Sequence, residues 1–154
     1  MRFVVLVVVA MLTGCSVSNR PPATAQFVAE ADTMEIIRSA AEAAPKGVRG
    51  ECELTIKAAG KQGAAVYLNT ELDYRDQRNV TVALYPHLIP QLTAQSGETP
   101  ERFFVGKTVR VKGMAQRVKI DFISAGRKPS GKYYFQTHIY IKDLSQIEVV
   151  KKSS

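Results

Sequence analysis

The chain has no tryptophan, only two cysteines and two histidines, and no apolar run of the roughly 20 residues that a membrane-spanning helix needs. Each shortage excludes something. His87 and His138 lie far apart, without metal-like spacing and with no cysteine near them in sequence, so no resident metal is expected. There is no Gly-x-Ser-x-Gly elbow, no Walker loop and no dinucleotide fingerprint, so nothing points to an enzyme or to a bound cofactor. Asp73 and Asp76 flank Arg75, an order that suits a salt-bridged turn better than a catalytic carboxylate pair. With 45% apolar residues in 154, the composition suits one globular domain with a tether.

What is present begins at the first residues. Met1-Arg2 is a short basic start, Phe3 to Leu12 is uninterrupted and apolar, and Leu12-Thr13-Gly14-Cys15 follows. A basic end, a short apolar stretch and small residues at a cleavage point define a secretory signal peptide. The tetrapeptide resembles a bacterial lipobox. That resemblance implies a diacylglyceryl group on the Cys15 sulfur, cleavage before Cys15 and acylation of the new amine. Residues 1–14 are then a signal peptide, 15–31 a lipidated tether with a Pro21-Pro22 pair, and 32–154 the domain. The protein would sit in the cell envelope, outside the cytoplasm, with the membrane as its partner through Cys15. Ser16 in place of Asp favours the outer membrane where the host has two. Cys52 is left without an intramolecular partner and is expected as a buried, inert thiol.

Charge is uneven along the chain. Eight Lys/Arg and eleven Asp/Glu lie between Cys15 and Glu101, against twelve and three from Arg102 to Ser154. A positive field from the second half would favour polyanions, anionic headgroups or an acidic protein, and it serves equally as a solvated, soluble strand surface.

Periodicity locates the elements. Asp32-Thr33-Met34-Glu35 has the form of a capping box, and Ile36, Ile37, Ala40, Ala41 and Ala44 make one apolar stripe, so a helix is predicted over 33–44. After Gly47 the period becomes two. Val48 to Lys57 reads as a long strand, Gly60 to Gly63 as a turn, and 66–69 and 79–85 as the next two strands. Leu88, Ile89 and Leu92 suit a short helix ended at Ser96-Gly97, and Pro100 can open a further turn. Strands are predicted again at 107–113, continuing at 118–122, then, after a turn at 126–131, over 135–141 with Phe135, Thr137, Ile139 and Ile141 inward, and last at Ile147 and Val149. The expected core is Leu54, Ile56, Val66, Leu68, Val80, Val82, Leu84, Val109, Val111, Phe135, Ile139 and Ile147.

The segment Gly106 to Gly113, the ending Asp143 to Val150, and Val66-Tyr67-Leu68-Asn69 resemble three pieces of OB-fold domains. The resemblance implies a mainly β fold: a five-stranded Greek-key barrel, an N-terminal helix and a helical connection between strands three and four. OB folds bind through strands two and three and the neighbouring loops. On this chain that surface would present Tyr67, Asn69, Thr81 and Tyr85, with Arg110, Lys112, Arg117 and Lys119 supplying positive charge and Tyr134 and Tyr140 further rings. His138, beside Gln136 and Tyr140, is expected to be outward and solvated. Rings and cations together suit an anionic glycan, a headgroup or another polyanion, held without catalysis. A barrel face that docks another envelope protein is the alternative. Nucleic acid is compatible with the fold, but the acidic strand Glu51-Cys52-Glu53-Leu54 and an extracytoplasmic address argue against it.

Overall fold

The computed structural model describes residues 26–27, 32–124 and 128–151. The signal peptide, the motif ending at Cys15, most of the tether and residues 126–127 of the predicted turn lie outside them.

The architecture is mainly β. Its strands are β1 (Gln26–Phe27), β2 (Val48–Thr55), β3 (Ala58–Gln62), β4 (Ala65–Asn69), β5 (Val80–Leu84), β6 (Thr108–Ile123), β7 (Pro129–Ile141) and β8 (Ile147–Val149). Helix α1 (Thr33–Glu42) precedes β2, and α2 (Ile89–Ser96) and α3 (Pro100–Phe104) connect β5 to β6. One mixed sheet runs in the order β1-β2-β6-β7-β5-β4-β3, with β8 also pairing β6. Two pairs are parallel, β1 with β2 and β5 with β7. Strands β2 and β3 are consecutive in the chain, joined at Ile56-Lys57. The Ile56 N–H donates to the Lys107 carbonyl and the Lys57 N–H to the Asn69 carbonyl, so the chain passes from the β6 side to the β4 side at this point.

Alternation explains the interior. Cys52, Leu54 and Ile56 point inward while Glu51 and Glu53 point out, and Val66 and Leu68 do the same against Tyr67. Every residue of the expected core is buried except Phe135. The inner series of β7 holds from Thr137 to Ile141, where β7 pairs with β5, and fails before Thr137, because Val80 opposite it is the first residue of β5. All five residues of β5 are buried, because side chains cover its outer face as well.

Helix α1 packs Ile36 and Ala40 onto this sheet. Asp32 caps it through the Met34 N–H, but Glu35 turns to Arg38 instead of closing a capping box. Gly47 ends the following turn at φ 77°, where a Cβ would lie 2.7 Å from the Ala115 carbonyl oxygen. Gly97 caps α2 in the left-handed region, as its place after Ser96 suggests.

Three local readings are corrected. The strand after Lys57 runs on to Gln62, because Lys61 and Gln62 pair with Val66 and Ala65, so the turn is Gly63-Ala64. In the charged loop Arg78, not Arg75, binds Asp76, at 2.7 Å, while Arg75 lies over the Tyr74 ring. Two residues from the segment read as tether, Gln26 and Phe27, add a strand beside Arg49 and Gly50.

Candidate functional site

Strands β4, β5 and β7 turn one face toward a groove of about 580 Å³. The β3–β4 hairpin walls one side with Gly60, Lys61 and Gln62. The β6–β7 hairpin walls the other with Val118, Ile120 and Tyr134. Between them stand Tyr67, Tyr74, Tyr140 and His138. The rings form a row. Tyr67 lies 6.1 Å from His138, His138 5.8 Å from Tyr140, and Tyr140 6.3 Å from Tyr85. Offset and edge contacts at these separations are favourable and fix ring planes.

The floor of the groove is polar and fully engaged. Thr81 Oγ1 donates to Asn69 Oδ1 at 2.9 Å, and Asn79 Nδ2 reaches Asn69 Oδ1, Thr81 Oγ1 and the Tyr74 carbonyl. The Asn79 Oδ1 in turn accepts from the Glu71 N–H and the Thr70 hydroxyl. Asn69 and Thr81 therefore line the groove, but their side-chain oxygens tie the loop at 71–78 to the sheet.

His138 is the group that sequence reading misplaced. It faces outward from β7, yet only 6% of it is exposed, because the Tyr67 and Tyr140 rings flank it. Burial pushes its pKa down to about 4, so the imidazole is neutral at pH 7. Its Nε2 bonds Gln136 Oε1 at 2.7 Å, and Gln136 Nε2 donates to the Tyr74 carbonyl and the Tyr134 hydroxyl. The buried Nδ1 has no partner. Burial also raises the Tyr134 and Tyr140 phenol pKa values, so both rings stay protonated donors. The signal for His138 was its flanking by outward Gln136 and Tyr140 on one strand face.

The expected cations are elsewhere. Arg110 binds Glu53 at 2.6 Å and Glu148 at 2.7 Å, and Lys112 lies 3.4 Å from Glu51. These pairs form a compensated ladder across β2, β6 and β8. Arg117 stacks over Phe135 and Lys119 over Tyr133, on the other face of the β6–β7 hairpin from Val118 and Ile120. Of the ten residues expected at the surface, Tyr67, Asn69, Thr81, Tyr134 and Tyr140 line the groove, and Tyr85 extends its ring row. Among the groove's lining residues the one cation is Lys61.

Among the described residues no cluster of three His, Cys, Asp or Glu could hold a metal, and no helix is long and apolar enough to cross a membrane. Cys52 is buried, with its thiol pushed up to about 12 by burial and by the charge of Glu51.

No family model and no curated protein matches the sequence. A solved chain titled as an aspartyl-tRNA synthetase from Leishmania major Friedlin is similar at a TM-score of 0.38 and 14% identity, covering 88% of this chain and 22% of that one. This chain thus spans about a fifth of that chain's length.

Proposed function

We propose that the chain is a non-catalytic binding module, an OB-type barrel held at a membrane through Cys15, and that its ligand lies in the groove between the β3–β4 and β6–β7 hairpins. The strand order supports the barrel: β2 and β3 read as one bent strand that pairs β6 with its first part and β4 with its second, giving five principal strands. The Leu12-Thr13-Gly14-Cys15 motif supports the anchor. The ring row Tyr67, His138, Tyr140 and Tyr85 carries the reading of the groove.

A site lined by rings and hydrogen-bonding groups with a single cation suits a sugar better than a polyanion. Pyranose C–H faces pack on aromatic rings, and sugar hydroxyls can bond the phenols and the Gln62 amide of the groove lining. Lys61 at the rim can hold one acidic substituent. We therefore favour an acidic glycan carrying few charges. A single-stranded nucleic acid would also stack on rings, but it requires phosphate neutralisation along a basic track, and Arg110 and Lys112 are already paired with carboxylates.

The test is a titration of the protein with a tetrasaccharide of N-acetylated amino sugars bearing carboxylates, and separately with a dodecamer of thymidylate, read by NMR on the tyrosine rings. The reading expects shifts at Tyr67, Tyr134 and Tyr140 with the glycan, weakly dependent on salt. Shifts with the oligonucleotide alone, falling steeply with salt, would replace the glycan by nucleic acid. Mass spectrometry of the membrane form checks the anchor separately: a mature first residue beyond Cys15 rejects it.

A further inference from the structure

Past the sheet, β6 and β7 continue together as a two-stranded ribbon. The last β6 contact with β2 is Ala115 and the first β7 contact with β5 is Thr137, so 118–123 and 129–136 pair only with each other. The ribbon exposes large apolar side chains that a soluble hairpin has no reason to display. Phe122 is 44% exposed, Ile123 60%, Tyr133 53% and Phe135 41%. The ribbon and the residues bordering it carry Arg117, Lys119, Lys128 and Lys132, all exposed, against Asp121 as the described acid, which lies 2.9 Å from the Lys119 ammonium. Its cations are ordered on its rings: Arg117 sits 3.7 Å above the Phe135 centroid, and Lys119 4.7 Å from that of Tyr133. Met34 and Ile37 of α1 share a concavity with Phe122, Tyr133 and Phe135 of the ribbon.

We propose that this ribbon is a membrane-contacting arm that lays its rings into the headgroup boundary of an anionic bilayer. Charge complementarity selects the occupant. Tyrosine and phenylalanine with neighbouring Lys/Arg is the composition that settles at the lipid interface, rings at headgroup depth and cations on phosphate. A protein partner would need one dry face. Here the Phe135 face carries the Arg117 guanidinium, which has no carboxylate partner among the described residues, while Lys119 lies 2.9 Å from Asp121, and the ribbon runs on past its last pairing with the rest of the sheet. The proposal does not depend on the glycan groove or on acylation of Cys15. It gives the domain a second attachment that would fix which way the groove faces.

The absence of tryptophan makes the test direct. A Phe122→Trp reporter in the full chain reads the arm, and a Val105→Trp reporter, exposed at the end of α3 just before β6 begins, reads the other end of that strand. Ile123→Trp replaces Phe122→Trp if that variant misfolds. Each is reconstituted on vesicles of phosphatidylglycerol and phosphatidylcholine whose acyl chains are brominated. The arm reporter should shift to the blue and be quenched, while the Val105→Trp reporter should do neither. Lys132→Ala in the reporter chain should weaken the ribbon's own partitioning about fivefold, the worth of one cation near an anionic surface. An unquenched arm reporter on vesicles that carry the protein overturns the proposal. So does equal quenching at both ends, or quenching that is unchanged in phosphatidylcholine alone. Blue shift without quenching, on addition of a second protein, assigns the arm to a protein partner and also overturns it.

Discussion

The Nε2–H of His138 donates to the side-chain oxygen of Gln136 at 2.7 Å, two residues earlier on β7. The direction follows from the rest of the network. The Gln136 amide nitrogen faces the Tyr74 carbonyl at 2.9 Å, which leaves its oxygen for the imidazole. His138 is thereby held as the tautomer with a bare Nδ1. A buried acceptor without a partner costs stability until something donates to it, and this one belongs to a groove-lining residue.

That arrangement makes the fold sensitive to acid. Burial holds the His138 pKa at about 4, below the ordinary 6.5. Between these values the unfolded chain takes up the proton and the native chain does not. The contribution is therefore complete above about pH 6.5 and is lost as pH falls toward 4, by about 3 kcal/mol in all. Urea unfolding at a series of pH values should show stability rising through this window. His138→Gln should flatten that rise, and an unchanged slope in the variant would place the titration elsewhere.

Neighbouring positions on β7 should respond very differently to truncation. Ile139 is fully buried, and Ile139→Ala should cost about 2–5 kcal/mol. Phe135→Ala should cost well under that, because its ring is 41% exposed and lies between the Arg117 guanidinium and the edge of Tyr133. Equal losses in denaturant unfolding would contradict the assignment of Phe135 to the ribbon.

The contrast also shows what could be read from the sequence. Inner and outer faces of β2, β4 and β5 were legible, because period-two alternation needs only local information. Helix α1 and the α2 end at Gly97 were legible through capping residues. Phe135 was not, since it continues the inner series of Thr137 and Ile139, and only the start of β5 at Val80, opposite Thr137, leaves it uncovered. His138 was read as solvated because a lone outward histidine usually is. Its cover comes from Tyr67, seventy-one positions earlier in the chain. Arg110 and Lys112 were read as a basic surface. Their partners Glu53 and Glu51 lie on the antiparallel neighbour, directly opposite in register. The alternating acids were visible in the sequence, but the pairing that neutralises them was not.

Cys52 should be inert while the protein is folded. Only the thiolate reacts, and a thiol pushed up to about 12 and buried offers almost none at neutral pH. Iodoacetamide followed by peptide mapping should leave Cys52 unmodified in buffer and alkylate it in denaturant. Rapid alkylation in buffer would mean that β2 opens locally.

The Arg110 ladder should matter for stability and not for ligand. Reversing its charge with Arg110→Glu places a fourth carboxylate among Glu51, Glu53 and Glu148. The melting temperature should fall, and added salt should recover part of the loss by screening the repulsion. A variant that melts like the parent at low salt would show the ladder to be energetically idle.

The proposal that the ligand occupies the aromatic groove is tested most directly by calorimetric titration of the acetylated amino-sugar tetrasaccharide into three proteins: the parent, Tyr134→Ala and Arg110→Ala. The account predicts that Tyr134→Ala weakens binding about tenfold, the loss of one stacked ring, while Arg110→Ala binds like the parent. Binding that survives Tyr134→Ala and is lost in Arg110→Ala would contradict it and move the ligand to the β2–β6–β8 face.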